Sequence, residues 1–142
     1  MEYRVYGQDV VVRMDRGEEI LDCIRQVCEK EHILLGSVSG IGAIVEVTLG
    51  VFNREKFIYE KREYTGDMEI ASCSGNISTM KGKNYLHIHM VVGNVTRDFC
   101  CGGHLNRAVI SLTGEFVIHK IAGEVDRAYS SEIGLNLYRF VD

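Results

Sequence analysis

The sequence predicts an α+β domain: one amphipathic helix among many strands, arranged as a mainly antiparallel sheet able to close into a barrel. Three observations predict it. Apolar residues recur at Ile20, Leu21, Ile24, Val27 and Cys28, the spacing of one helix face. Elsewhere, runs rich in Val, Ile and Tyr alternate with period two between breaks that carry Gly or Asn. Proline is absent while glycine numbers 15, so the turns must be built by Gly, Asn and Asp.

Residues 3–14 read as two strands about Gly7-Gln8-Asp9. Asp15, followed three residues later by Glu18, is a capping-box-like start. The helix is therefore expected over residues 17–31, opening at Gly17 and closing at Glu31. Gly36, Gly40 and Gly42 follow. Their spacing departs from G-x-G-x-x-G and a strand-like run comes next, so they read as glycines at a bend and at close strand contacts, not as a nucleotide loop. Ala43, Val45, Val47, Leu49 and Val51 alternate onto one face. Further strands are expected over residues 56–64, 67–78 and 85–92. Residues 107–113 and 115–121 read as paired strands about Gly114, and 135–141 as an alternating tail strand.

A chain of 142 residues suits one domain. No run of about 18 apolar residues is present, so no membrane span is expected. Met1-Glu2-Tyr3-Arg4 does not open a basic stretch followed by an apolar one, so the expectation is a protein without a signal peptide, in the cytoplasm. The net charge of -4 and pI near 5.7 argue against a general nucleic-acid-binding surface. The small basic clusters Lys81-Gly82-Lys83 and Arg54-Glu55-Lys56 read as solvated turns. The cysteines are Cys23, Cys28, Cys73, Cys100 and Cys101: an odd count, with no C-x-x-C, which does not describe a disulfide framework. They read as buried reduced thiols, the sharper alternative being Cys100 or Cys101 as a soft metal ligand near His104.

The stretch with most chemistry is N-Y-L-H-I-H-M-V-V, residues 84–92. Alternation puts His87 and His89 on one face with Tyr85 and Val91, and turns Leu86, Ile88, Met90 and Val92 toward the core. Residues i and i+2 on a strand lie about 6.5 Å apart, which lets two imidazoles converge on one ion at about 2.0–2.1 Å each. By itself H-x-H also fits ordinary polar residues on a sheet face. C-G-G-H-L, residues 101–105, supplies a third imidazole: two glycines let the backbone approach a neighbouring strand and aim His104 back at it. Three neutral imidazoles with an open fourth position describe a catalytic zinc, which acidifies a water or polarises a carbonyl. Metal-bound imidazoles need an acceptor on the other ring nitrogen. Glu69 and Glu115 are the candidates, with solvent-facing strand charge as the alternative. His32 closes the helix, where an imidazolium suits the dipole. His119 has no neighbouring motif. Both are left outside the site.

Seven short stretches carry a resemblance. They are R-G-E-E-I at Arg16, S-G-I-G-A-I-V-E-V-T-L-G at Ser39, G-D-M-E-I at Gly66, S-G-N-I-S at Ser74, H-I-H-M-V-V at His87, G-G-H-L at Gly102 and G-E-F-V-I at Gly114. In that order they resemble the plants and prokaryotes conserved (PPC) domain family, in its stand-alone prokaryotic form, over roughly residues 11–121. The resemblance implies a single compact domain with a strongly bent antiparallel sheet, assembled as a homotrimer. In plants the domain accompanies AT-hooks, which bind DNA, while the domain itself mediates assembly and partner contacts. Stand-alone members carry a DNA-binding label by that association. The R-G-R-P core of an AT-hook is absent here. Prokaryotic members similar to this chain keep H-x-H and G-G-H, which implies a metal site at His87, His89 and His104. The domain is also similar in fold to α-acetolactate decarboxylase, a zinc enzyme that uses H-x-H and a later histidine.

Three readings stay open on these grounds. The first is a homotrimer that holds a divalent metal, zinc ahead of nickel, copper or iron, through His87, His89 and His104. It would take a small-molecule ligand and act as a lyase or hydrolase on a small carbonyl compound. The second is a DNA-associated regulatory module. The third is an assembly module with structural histidines, in which Leu135, Leu137 and Val141 pair between subunits.

Overall fold

Buried and exposed side chains alternate through most of the computed structural model, which describes residues 1–140. The order is β1 (Glu2–Tyr6), β2 (Asp9–Asp15), α1 (Ile20–Lys30), β3 (Gly36–Asn53), β4 (Ile58–Met80), β5 (Lys83–Asn94), β6 (Phe99–Lys120), β7 (Asp126–Ser130) and β8 (Leu135–Arg139). The first six strands form one antiparallel sheet, ordered β1-β2-β6-β3-β4-β5, and a further pairing of β5 with β6 closes it. Strands β3 to β6 thus make a barrel wall, which β1 and β2 extend beside the C-terminal half of β6. β7 and β8 form a separate hairpin. The expected α+β class, the antiparallel sheet, the single helix and the barrel closure are all present.

The helix begins three residues later than expected. Glu18 Oε2 does accept from Asp15 N at 2.8 Å, half of a capping box. However, Gly17 adopts φ +86°, and its N–H donates to Ile110 O at 2.8 Å, while Glu18 O accepts from Ile110 N. Residues 17–19 are therefore bound to β6 before the helix starts. Glu19 is the cap: Oε2 accepts from Asp22 N and Oε1 from Ala108 N. Eleven residues are marginal as an isolated helix. What holds α1 is its inner face, with Ile20, Cys23, Ile24, Val27 and Cys28 buried in the core beside Met14, Ile44, Ile88 and Phe116. Full burial of an Ile or Val contributes roughly 1.5–3 kcal/mol.

Two expected breaks are continuous strand. Residues 107–113 and 115–121 do not pair with each other about Gly114. They belong to the single strand β6, and Gly114 faces Met14 of β2 and Gly42 of β3. A Cβ on Gly42 would stand 2.4 Å from Thr113 O, so bare backbone here permits close strand passage rather than a turn. Likewise residues 56–64 and 67–78 fall largely in one strand, β4, which bends at Gly66 (φ +111°) and at an irregularity between Ile70 and Ser72. The uniform face expected from Ala43 to Val51 is broken. A bulge between Ile44 and Glu46 leaves Val45 exposed, and Val51 lies past the last core residue of β3, Leu49.

Cys23, Cys28 and Cys73 are buried free thiols, pushed up to about 11, 12 and 12 first of all by burial. Cys100 is exposed and Cys101 half-buried, so the buried-thiol expectation holds for three of the five. Among the described residues no helix is long and apolar enough to cross a membrane. Val141 lies outside the described residues.

Candidate metal centre

Ile88, Met90 and Val92 are at most 1 % exposed and fix one face of β5 in the core. Parity then forces His87 and His89 out through the other face. His104 arrives from β6 at the barrel seam, the register position at which β6 changes partner: it pairs with His89 of β5 on one side and Gly50 of β3 on the other. The glycines before it allow this. A Cβ on Gly103 would stand 2.9 Å from Gly50 O, and one on Gly102 would stand 3.0 Å from Val91 Cγ2.

The three rings form a nearly equilateral triangle, with centroids 5.3 Å apart for His87–His89, 5.2 Å for His87–His104 and 5.4 Å for His89–His104. One nitrogen from each lies within 4.8 Å of the others. A tetrahedral ion with zinc-like bonds needs its nitrogens about 3.3 Å apart, a closure within reach of small ring rotations. Burial above all, then the neighbouring His87 and His89 and the cations Arg127 and Lys61, lowers the His104 pKa to about 4. His87 is also held below the usual imidazole range, by burial first and then by Arg127 and His89. Both are neutral at pH 7, the form that can ligate a cation. The donor set and its protonation therefore fit a divalent metal.

The histidines open into a cavity of about 770 Å³. Tyr59 lies edge-on to His104, with ring centroids 6.1 Å apart. It crosses Gly50, where a Cβ would stand 2.1 Å from the tyrosine hydroxyl. Asn106 Nδ2 steadies this arrangement, donating to Tyr59 Oη at 2.8 Å and to His104 O at 3.0 Å. Asn76 faces His87 in the β4–β5 register. Across the cavity, the β7–β8 hairpin contributes Arg127, Leu137 and Tyr138. Of this surrounding shell, strand parity signalled Tyr85, which also lines the cavity, and Leu135 and Leu137, read from sequence as pairing between subunits, line it too. Gly50, Tyr59, Asn76, Asn106 and Arg127 sit in no local motif with the histidines.

Glu69 and Glu115, expected to support the imidazoles, are elsewhere. Glu69 pairs with Gly93, four residues beyond His89, about 13 Å along an extended strand. It lines a separate cleft with Arg16 and Leu112. Glu115 lies eleven residues along β6 from His104, opposite Arg13 and Ile41, and lines another cleft with Val117. Both are exposed strand charges facing solvent, as the alternative reading had it. Cys101 lines a groove with Glu60 and Arg62 instead, and neither it nor Cys100 joins the histidine cluster. His119 Nδ1 meets Asp9 Oδ1 at 2.8 Å, and His32 sits just past the helix with φ +52°.

Known proteins share this architecture. A presumed DNA-binding protein from Bacteroides thetaiotaomicron superposes with a TM-score of 0.93 at 36% identity, covering 98% of this chain and 96% of that one. A metal-containing protein from Archaeoglobus fulgidus superposes with a TM-score of 0.87 at 31% identity, covering 98% and 97%. A plant- and prokaryote-conserved (PPC) protein from Pyrococcus horikoshii gives a TM-score of 0.84 at 28% identity, covering 99% and 96%. A comparison with curated proteins finds no match. The profile of the Plants and Prokaryotes Conserved (PCC) domain matches residues 1–122, a span that takes in all three clustered histidines, and the protein belongs to that family.

Proposed function

We propose that the protein binds one divalent cation, zinc, between His87, His89 and His104. The observation that carries this reading is the convergence of three imidazole nitrogens within 4.8 Å in the lining of a cavity. The lowered pKa values of His87 and His104 support it, because the neutral rings are ready to coordinate. So does the metal-containing protein of similar fold from Archaeoglobus fulgidus. Imidazole donors suit zinc, and three of them leave a coordination position open to a small molecule. A bound metal of this kind supplies Lewis acidity, which suits a lyase or hydrolase acting on a carbonyl compound. The residues that would orient such a ligand line the same cavity: Tyr59, held by Asn106, lies edge-on beside His104.

The test is metal content in protein purified without a histidine tag, for wild type and His89→Ala. Wild type should carry close to one metal per chain and the variant almost none. Equal, near-zero metal in both would sink the reading.

The functional unit in this reading is a homotrimer. Val11 and Val117, directly paired on the outer face of β2 and β6, are 47% and 41% exposed, and Ile41 nearby on β3 is 59% exposed. This apolar surface suits subunit contact, and the mass in solution checks it. Free thiols at Cys23, Cys28 and Cys73 suit a reducing compartment such as the cytoplasm.

A second reading, DNA association, is favoured by the description of the Bacteroides thetaiotaomicron protein. The net charge of -4 opposes it. Binding to duplex DNA that falls steeply with salt is its signature. If no binding occurs at low ionic strength, this second reading fails.

A further inference from the structure

Arg127 is the one charged residue among the buried residues described, at 6% exposure. Its Nε donates to Ser78 Oγ and its Nη1 to Asn136 O, both at 2.9 Å. The guanidinium lies over two aromatic rings, 4.7 Å from the Tyr85 centroid and 4.2 Å from that of Tyr138. Both hydrogen-bond acceptors are neutral. The adjacent carboxylate of Asp126 is taken by Arg139 at 3.1 Å. Among the described residues, Arg127 has no anionic partner, although burying an unpaired cation is costly. The side chain is held by two hydrogen bonds and two rings, and it lines the same cavity as the three histidines. A fixed, desolvated guanidinium of this kind matches an anion with two oxygens in one plane.

We propose that the cavity binds a small organic carboxylate: its carboxylate pairs with Arg127, its body lies against Tyr85, Tyr138 and Leu137, and its far end faces His87, His89 and His104. The role given to the far end rests on the metal reading, whereas the pairing with Arg127 does not. A planar carboxylate of single charge fits one guanidinium over aromatic rings better than a tetrahedral dianion, which calls for several cations or backbone donors.

Benzoate and benzamide have the same shape and differ in charge, so they test the pairing. Both are titrated into the full chain, zinc-loaded and metal-free, with binding followed by calorimetry. Benzoate should be preferred by about tenfold or more in both forms. Arg127→Gln should remove the preference. His104→Ala, which keeps Arg127, should retain it. A metal-free wild type that binds the two equally, or binds neither, overturns the proposal without any variant, so poor folding of Arg127→Gln does not shield it. A preference that survives Arg127→Gln and disappears without zinc places benzoate on the metal alone and also overturns it. Wild type that takes up no zinc yet prefers benzoate defeats the metal reading and leaves this one standing. Zinc uptake without discrimination does the reverse.

Discussion

His89 and His104 are register partners across the seam where β5 meets β6, with ring planes at 90° and centroids 5.4 Å apart. Forming the histidine cluster and closing the barrel are therefore one structural event. An ion held by both rings, and by His87 beside them, would crosslink the two strands at the point where the sheet joins itself. In the open or unfolded chain, residues 89 and 104 have no reason to meet.

Metal loading should thus raise thermal stability. A ligand that binds the folded chain at about 100 times its dissociation constant adds about 2.7 kcal/mol, an upward shift of several degrees for a domain this size. Removing metal with a chelator should lower the melting temperature of wild type and leave His89→Ala and His104→Ala unchanged. A chelator-induced drop of the same size in both variants would place the stabilising metal elsewhere. Thermal melts with and without EDTA, followed by zinc add-back, make the comparison.

The two local motifs of this cluster were legible in the sequence because each obeys a short-range rule. Period-two alternation from Tyr85 to Val92 sets the face of His87 and His89, and Gly102-Gly103 marks a close approach before His104. The pairing that brings the motifs together spans fifteen residues, and the resemblance implied it where spacing alone did not. Glu69 and Glu115 lie away from the imidazoles because a carboxylate in a strand-like run carries no information on which part of the neighbouring strand it faces. Arg127 was invisible for a related reason: its partners Ser78, Tyr85 and Tyr138 are contributed by β4, β5 and β8. The helix starts later than its capping pattern indicates because Gly17 and Glu18 have backbone partners on β6, a tertiary competition that a capping pattern does not encode.

Acidification should weaken the metal-free protein in a defined window. The folded pKa of His104 is about 4, against about 6.5 for a free imidazole. The unfolded chain takes up its proton first, so this group's contribution is fully present above pH of about 6.5. It declines as pH falls and is lost once pH passes below about 4. His87, lowered for the same primary reason, acts in the same direction. The melting temperature of chelated wild type should fall more steeply between pH 7 and 4.5 than that of His104→Ala. Parallel curves would show that His104 is not the group responsible. Metal-loaded protein should release its ion on the acid side, since protons and the cation compete for the same nitrogens.

Glu69→Gln and Glu115→Gln should leave metal content and affinity unchanged. Each carboxylate faces solvent in a cleft separate from the histidines, and surface substitutions of this type change stability by about 0.5 kcal/mol or less. The acceptor lost from a genuine imidazole partner typically lowers metal affinity about 10- to 100-fold. A loss of that size in either variant, read by competition with a fluorescent zinc chelator, would contradict the observed strand geometry.

Gly75→Ala should damage the site without touching a ligand. Gly75 lies on β4 opposite Ile88, between the positions that face His87 and His89. A Cβ there would stand 2.4 Å from His87 O, 2.6 Å from Ile88 Cα and 2.7 Å from Ile88 Cγ1. Two of those atoms are backbone and cannot rotate away. Ile88 is fully buried, so its side chain has no empty space to enter. The clash must be relieved by pushing β5 away from β4, which moves His87 and His89 relative to His104 on β6. Overpacking of this kind costs about 1–3 kcal/mol, and zinc should bind more weakly as the triangle opens. Comparison with Ile88→Ala separates the two effects. That variant should lose about 2–5 kcal/mol through a cavity yet keep the strand spacing, so saturating zinc should still raise its melting temperature as it does in wild type. If Gly75→Ala binds zinc with wild-type affinity, the histidine positions do not depend on the tight β4–β5 approach.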